Sequence, residues 1–481
     1  MAQLNRVLDA HIVPDLAAYE AAGGGEALRA ARASEPVALI EVLEASGLRG
    51  RGGGGFPTGT KWRTVAGMGG DEPSTVVVNA AEGEPGTFKD RTLLRRNPYK
   101  VLEGALIAAH AVGADRVVIG MKQTATEERR RTEAAIAELQ AAGWPDYVRI
   151  DCVAESDRYL LGEETALLEV INGRPPFPRL APPYRAGAED VGDDVATSAG
   201  RDLADADGVT RAGATLVNNV ETLANVPSIV SDGPDAFRAL GTPESPGTIV
   251  CTVSGRTDNA GVGEFELGTP LREVIAELGG AGGTDTIVAV LSGTANPFLT
   301  AAALDAPLSW EGLAAAGGGL GSAGFIVIDQ DVDIVAVAHG VSRFLSVESC
   351  GQCTPCKQDG LAITEVLDRI RASAPEADDL ERLPVLATRV TDGARCFLAQ
   401  QHQNIVLGLL EHFPDALAAH ADGRASAAGS FPIVPLLDIV DGEAVLKLDE
   451  LDVQADWGDG TATSPADRID VRSRQDPGQE T

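Results

Sequence analysis

Two hydrophobic periodicities alternate along the chain, and the points where one gives way to the other mark its organisation. Residues 1–45 carry apolar positions at helical spacing and predict a helical segment, with Gly23, Gly24 and Gly25 as a break. From 46 to 240, short β-branched runs alternate with helical ones. Residues 75–79 predict a strand, 99–112 a helix, 116–120 a buried strand, 127–142 an amphipathic helix and 147–153 a further strand. Alternation of this kind predicts an α/β unit. Inside it, residues 187–211 are acidic, short of apolar side chains and rich in Asp and Gly, and predict an exposed insertion.

Residues 246–332 predict a small separate domain. Strand 248–254, helix 270–278, strand 286–291, the run Gly317-Gly318-Gly319 and strand 324–328 suit a compact β-grasp unit. From 333 to 420 the strand signals stop, and helical periodicity predicts a bundle. In the segment 431–453, runs 436–440 and 444–448 flank Asp441-Gly442, a strong hairpin signal. Residues 454–481 are polar and predict a disordered tail. The fold class is α/β and multidomain.

Charge narrows the partners. A net charge of −32 over 481 residues repels nucleic acid and anionic membrane surfaces. Only six of the 39 cations are lysines, and an acidic, lysine-poor, Ala- and Gly-rich composition suits a high-salt interior. The most apolar stretch, 325–341, is broken by Asp329, Asp331 and Asp333, so no membrane span is expected. The first residues lack the apolar run of a secretory signal. A cytoplasmic location is expected, and the six cysteines should then be thiols or metal ligands rather than disulfides.

Cys350, Cys353 and Cys356 form C-x2-C-x2-C, and Cys396 follows 39 intervening residues later. Three thiolates on one turn of backbone with a fourth from a distant element suit an iron–sulfur cubane. Structural zinc prefers two separated pairs and is the rival; four unligated buried thiols are the bland alternative. Cys152 and Cys251 stand alone in strand-like runs and read as core residues.

Gly50-Arg51-Gly52-Gly53-Gly54-Gly55 satisfies G-x-G-x-x-G formally. It is preceded by a predicted helix at 39–47 where a dinucleotide fold would have a strand. Such a loop still brings backbone N–H groups close to a phosphate or a flat ring, with Arg51 and Lys61 as countercharge. A flexible surface loop is the alternative.

Taken together, the segments 46–62 (through Phe56, Lys61 and Trp62), 79–91, 161–167 and 217–224, followed by Glu348–Cys356 and Cys396, resemble the flavin-binding, NADH-oxidising subunit of respiratory complex I and the related diaphorase subunits of NAD-linked hydrogenases and formate dehydrogenases. The resemblance spans about residues 46–420. It implies FMN, one [4Fe–4S] cluster and NADH as cofactors, with hydride transfer to the flavin and single electrons passed to the cluster. It assigns Gly50, Arg51, Gly52, Gly53, Gly55, Lys61, Asn79, Asn218, Asn219 and Thr222 to the flavin and its phosphate. Glu84, Glu163 and Glu164 fall on the nicotinamide and ribose side and Phe56 on the adenine, with Glu82, Tyr159, Gly162 and Tyr184 as further cofactor-binding residues. Neutral amides suit flavin polar groups, and carboxylates suit ribose hydroxyls. Read alone, Glu163-Glu164 would be a helix start and Asn218-Asn219 a turn.

No side chain is expected to act as acid or base, since the cofactors carry the chemistry. The implied partner is a small [2Fe–2S] thioredoxin-like subunit or a larger iron–sulfur subunit, with membrane association only through partners. The chain departs from the family pattern at Thr64, Ala81, Ala181 and Tyr184, which bears on dinucleotide preference, NADH against NADPH. Two alternatives stand beside this reading: the diaphorase half of a formate dehydrogenase, hydrogenase or bifurcating complex, and a degenerate homologue whose cluster is structural or sensing.

Overall fold

The computed structural model describes residues 3–68, 73–179, 214–280, 285–425 and 429–455. The predicted insertion at 187–211, Tyr184, Ala181 and all but the first residues of the tail lie outside them.

The first sheet has four strands, β1 (Ser74–Ala80), β2 (Ala114–Lys122), β3 (Arg149–Ser156) and β4 (Thr215–Asn219), in the order β3-β2-β1-β4. All its pairings are parallel. Parallel neighbours need crossovers, here the helix Pro98–Val112 between β1 and β2 and the helix Thr126–Ala141 between β2 and β3. Val76, Val77 and Val78 are wholly buried, the near-continuous apolar run of a strand covered on both faces.

The helix Pro98–Val112 starts at Asn97, whose side chain accepts from Lys100 N–H, and ends at Gly113 with φ 67°. It packs on the helix Val220–Asp232 at a glycine: a Cβ on Gly104 would lie 2.0 Å from the Leu223 carbonyl oxygen.

The second sheet has five strands: β5 (Thr248–Gly255), β6 (Gly261–Glu266), β7 (Ile287–Ser292), β8 (Leu299–Thr300) and β9 (Gly324–Asp329). Their order is β6-β5-β9-β7-β8, with β5 and β9 parallel and the other pairs antiparallel. The two-residue period of β9 divides it between two cores. Phe325 and Val327 join Leu271, Val274 and Leu313 on one face. Ile326 and Ile328 join Val341, Leu345 and Leu398 on the other. The sheet is thus packed directly against the cysteine-bearing helices.

Those helices are Ile334–Glu348, Thr354–Arg371, Asp379–Arg389, Leu398–His412 and Pro414–Ala421. Between them lies a polar chain. His402 Nε2 is 2.7 Å from Ser342 Oγ, which is 2.8 Å from Thr364 Oγ1. Burial pushes the His402 imidazole down to about 3 from its ordinary 6.5. The unfolded chain therefore binds the extra proton between those values. Stability from neutral His402 is complete above pH 6.5 and falls as pH drops, by up to about 1.4 kcal/mol per unit. Urea unfolding from pH 6.5 to 4.5 should show this slope, and His402→Gln should flatten it. An equally steep slope in the variant would assign the acid lability to other groups.

The hairpin forms as predicted. β10 (Leu436–Val440) and β11 (Glu443–Leu446) pair about Asp441 and Gly442, both at positive φ, 51° and 81°. Arg95 binds Asp438 at 2.6 Å, and Arg91 Nη1 donates to the Leu436 carbonyl at 3.2 Å, fixing the hairpin to the helix Lys89–Arg96.

Three expectations are corrected. Helices begin only at Leu16 (Leu16–Ala21, Glu26–Arg32, Pro36–Ser46), and residues 3–14 run without one. The backbone N–H groups of Arg6, Val7 and Leu8 all donate to Glu264 Oε2, at 2.9, 2.9 and 3.0 Å, which draws the segment onto β6. Strand β6 itself escaped the pattern because Gly261, Gly263 and the wholly buried Glu264 break its apolar alternation. Strand β3 begins at Arg149 and leaves Tyr147 exposed. No described helix is long and apolar enough to cross a membrane.

Candidate functional site

Helix Pro36–Ser46 ends at Gly47 (φ 69°), and after the glycine loop helix Thr58–Gly67 begins. The loop therefore joins two helices, the first of which the sequence predicted. It is closed by Gly50 N–H donating to the Phe56 carbonyl at 2.8 Å and Thr58 N–H to that of Leu48 at 2.9 Å. Gly53 sits at φ 109°, and a Cβ on Gly54 would meet nothing within 4 Å, so the tip opens onto free space. At Gly55 a Cβ would fall 2.3 Å from Trp310 Nε1.

Arg51 turns away from that open side. Its side chain is buried, with Nη2 donating to the Pro246 carbonyl at 3.2 Å and the guanidinium 5.1 Å from the Trp310 ring centroid. Burial lowers its pKa to about 10, against the pull of Glu221. Its backbone N–H donates to Thr222 Oγ1 at 2.8 Å, which joins two predicted site residues. Lys61, the other predicted countercharge, pairs with Glu164.

Ligands in open parallel sheets bind outside the carboxyl ends of the strands. Here β1 ends in Asn79-Ala80 and β4 in Asn218-Asn219, with Asn79 opposite Asn219 in register. Asn79 Nδ2 donates to the Gly162 carbonyl at 2.9 Å, and Asn218 Oδ1 accepts from Trp62 Nε1 at 2.8 Å. Asn219 Oδ1 caps the next helix through Glu221 N–H at 3.0 Å. Its amide nitrogen donates to Asp90 at 2.6 Å. Beneath it Lys89 Nζ lies 2.8 Å from both Asp90 and Glu221. Burial disfavours the Lys89 charge, but those two acids outweigh it and hold its pKa above the usual lysine range. Lys89, Asp90 and Glu221 were not singled out from sequence; the sole signal is their place within the 79–91 and 217–224 segments.

The acids divide by role. Glu82 accepts from the N–H groups of Lys89, Asp90 and Arg91 at 3.0 to 3.2 Å, at the start of the helix Lys89–Arg96. Loss of solvent, with Asp90 adding, pushes its pKa up to about 7. Glu163 caps the helix Glu164–Ile171 by accepting from Thr165 and Ala166 N–H, both at 2.9 Å, so the helix-start reading of that pair holds locally. Glu84 is bound by Ser322 and Thr294 of the five-stranded sheet's loops. Tyr159 N–H donates to Glu348 at 2.8 Å, and its hydroxyl accepts from Gln401 Nε2 at 2.9 Å. Phe56 is 39% exposed at the loop's edge.

Cys350, Cys353, Cys356 and Cys396 line one small cavity, walled by Leu160, Pro178, Ser349, Gln352, Arg395 and Leu398. The first three lie on the turn into the helix Thr354–Arg371, and Cys396 precedes the helix Leu398–His412. Donors surround the sulfurs: Arg395 N–H to Cys353 Sγ at 3.4 Å and Ser349 Oγ against Cys356 Sγ at 3.3 Å. Lys357 Nζ donates to the Ser346 and Ser349 carbonyls at 2.8 and 2.7 Å and braces the turn. Burial raises Cys350 to about 11 and moves Cys356 and Cys396 upward. Four thiols on one pocket, with no disulfide among the described residues, fit a four-thiolate cluster. Cys251 is buried in β5 and Cys152 packs against the first core, as expected of core residues.

Comparison with known proteins points to the same two cofactors. Residues 43–228 match the Nuo51 FMN-binding domain, and residues 336–420 match the NADH-ubiquinone oxidoreductase-F iron-sulfur binding region. The second F subunit of the NADH-quinone oxidoreductases of Rhizobium meliloti is 36% identical over 429 residues, covering 86% of this chain and 96% of that one. The NADH-quinone oxidoreductase F subunit of Mycobacterium tuberculosis is 34% identical over 414 residues, covering 83% and 88%. Among solved structures, an NAD+-reducing [NiFe]-hydrogenase in its H2-reduced state superposes with a TM-score of 0.72 at 32% identity, covering 88% of this chain and 69% of that one. The air-oxidised form gives 0.68 at 33% identity, with the chain spanning 65% of that protein. The fold and site define an oxidoreductase acting on NADH through FMN and an iron–sulfur centre. The chain belongs to the family of NADH-quinone oxidoreductase F subunits.

Proposed function

We infer that the chain is an NADH-oxidising electron-entry subunit. The observation that carries this is the single pocket lined by Cys350, Cys353, Cys356 and Cys396 in a chain that also carries the glycine loop and the strand-end asparagines. When bound, FMN and the [4Fe–4S] cluster supply the redox chemistry, hydride acceptance from NADH and single-electron transfer onward. The protein's own residues bind and orient. Asn79, Asn218, Asn219 and Thr222 offer neutral donors and acceptors at the strand ends, and the glycine loop offers backbone N–H groups. Lys61 offers positive charge for a phosphate. Glu84, Glu163 and Glu164 offer carboxylates to ribose hydroxyls, and exposed Phe56 a face for the adenine. Cys350, Cys353, Cys356 and Cys396 hold the cluster.

The proposed domain division follows the sequence reading: a flavin and NADH domain at 46–240, a β-grasp domain at 246–332 and a cluster-bearing helical bundle at 333–420. The order β6-β5-β9-β7-β8 around one parallel pair supports the second. Phe397, 57% exposed beside Cys396, supports electron exit on that face to an iron–sulfur partner subunit, either a small [2Fe–2S] protein or a larger one. Membrane association would come only through such partners.

The test is NADH:ferricyanide turnover by the chain reconstituted with FMN and iron. Sustained turnover with NADH preferred over NADPH is expected. A fully loaded protein that turns over neither would favour the degenerate alternative.

A further inference from the structure

Glu84 stands where three segments meet. It follows β1, yet both its oxygens are bound by loops of the five-stranded sheet. Ser322 Oγ donates to Oε2 at 2.6 Å, and Thr294 N–H donates to Oε1 at 2.9 Å. The Thr294 hydroxyl lies at 3.5 Å. Gly293, at φ 62°, lets the backbone approach: a Cβ there would fall 2.3 Å from Glu84 Oε1. Ser322 also abuts the nucleotide loop, since a Cβ on Gly53 would be 3.7 Å from both Ser322 N and Gly321 C. One serine therefore binds the acid through its hydroxyl while its backbone lies beside the glycine loop. Burial raises the Glu84 pKa, and the Ser322 and Thr294 hydrogen bonds act against that rise.

We propose that Ser322 is a positioning residue for dinucleotide binding: with the Thr294 N–H it fixes the Glu84 carboxylate in one orientation beside the glycine loop, as an acceptor for the ribose hydroxyls of NADH. The five-stranded sheet is then a wall of the nucleotide site, and the geometry of its 292–294 and 321–322 loops sets NADH affinity. The proposal rests on the reading of Glu84 as a ribose-side acid. A charge-assisted hydrogen bond from Ser322 is the interaction removed by truncation, and about 1.5–3 kcal/mol corresponds to about 10–150-fold.

The test uses the full chain loaded with FMN and cluster, with Ser322→Ala, Ser322→Cys, Ser322→Thr and Glu84→Gln compared in NADH:ferricyanide kinetics. Flavin and iron content are measured on each. Ser322→Ala is expected to raise KM for NADH at least about 10-fold with kcat within twofold, and Ser322→Thr, which keeps the hydroxyl, to restore KM. Ser322→Cys, close in size and a poorer donor, should fall between and carries the test if the alanine variant folds badly. Glu84→Gln raising KM while Ser322→Ala and Ser322→Cys leave it unchanged would overturn the proposal. Glu84→Gln leaving KM unchanged would overturn the reading of Glu84 beneath it. A fall in kcat alone, with threonine failing to rescue, would assign Ser322 a merely structural role and also overturn the proposal.

Discussion

Cys396→Ser is expected to empty the cluster site: iron content falls toward zero, and the low-temperature paramagnetic signal of the reduced protein disappears. Three ligands on the turn 350–356 cannot close a four-thiolate set, and Cys396 is the one that arrives from another element. Cluster binding is also folding energy, because it joins that turn to the start of the helix Leu398–His412. The variant should therefore melt several degrees lower. Flavin content should survive, since the glycine loop and the strand ends share no side chain with the cysteine cavity. Cys251→Ala is the control: Cys251 is buried in β5 and absent from the cavity lining, so its iron content should match the parent. Equal iron loss in both variants would trace the effect to folding, and full iron in Cys396→Ser would remove Cys396 from the ligand set.

Lys61→Met is expected to strip the flavin. Of the two countercharges expected near the loop, Arg51 packs its guanidinium against Trp310 and Pro246, and Lys61, paired with Glu164, is the one proposed to meet the phosphate. A charge-assisted contact of about 1.5–3 kcal/mol corresponds to about 10–150-fold in affinity. The Met variant also removes the Lys61–Glu164 ion pair. Purified Lys61→Met should carry little FMN and need a large excess for reconstitution, while Lys61→Arg keeps the charge and most of the flavin. Equilibrium dialysis with FMN measures both. Unchanged flavin affinity in the Met variant would place the phosphate elsewhere.

Sequence made the redox apparatus legible because its parts are local. Three cysteines within seven residues, a run of glycines and two adjacent asparagines each lie on one turn of chain. Helices and strands with regular periods were equally legible, and β1, β2, β5 and β9 lie within two residues of expectation. What stayed hidden is non-local. Glu264 reads as a surface acid until the N–H groups of residues 6–8, over 250 positions away, are seen to bind it. Ser322 and Thr294 sit in loops with no motif of their own and matter only because folding brings them to Glu84. Arg51 looked like countercharge, and tertiary packing against Trp310 and Pro246 took its side chain inward. Lys89, Asp90 and Glu221 form a buried charge cluster whose members lie up to 132 positions apart.

The central claim is that NADH delivers its electrons to a flavin held by this chain. The direct measurement is anaerobic addition of NADH to the protein reconstituted with FMN and iron, following the visible flavin band. Rapid bleaching on the first equivalents, with slower or no bleaching by NADPH, is the expected result. Bound flavin that NADH fails to bleach, in protein carrying a full cluster, would contradict the account.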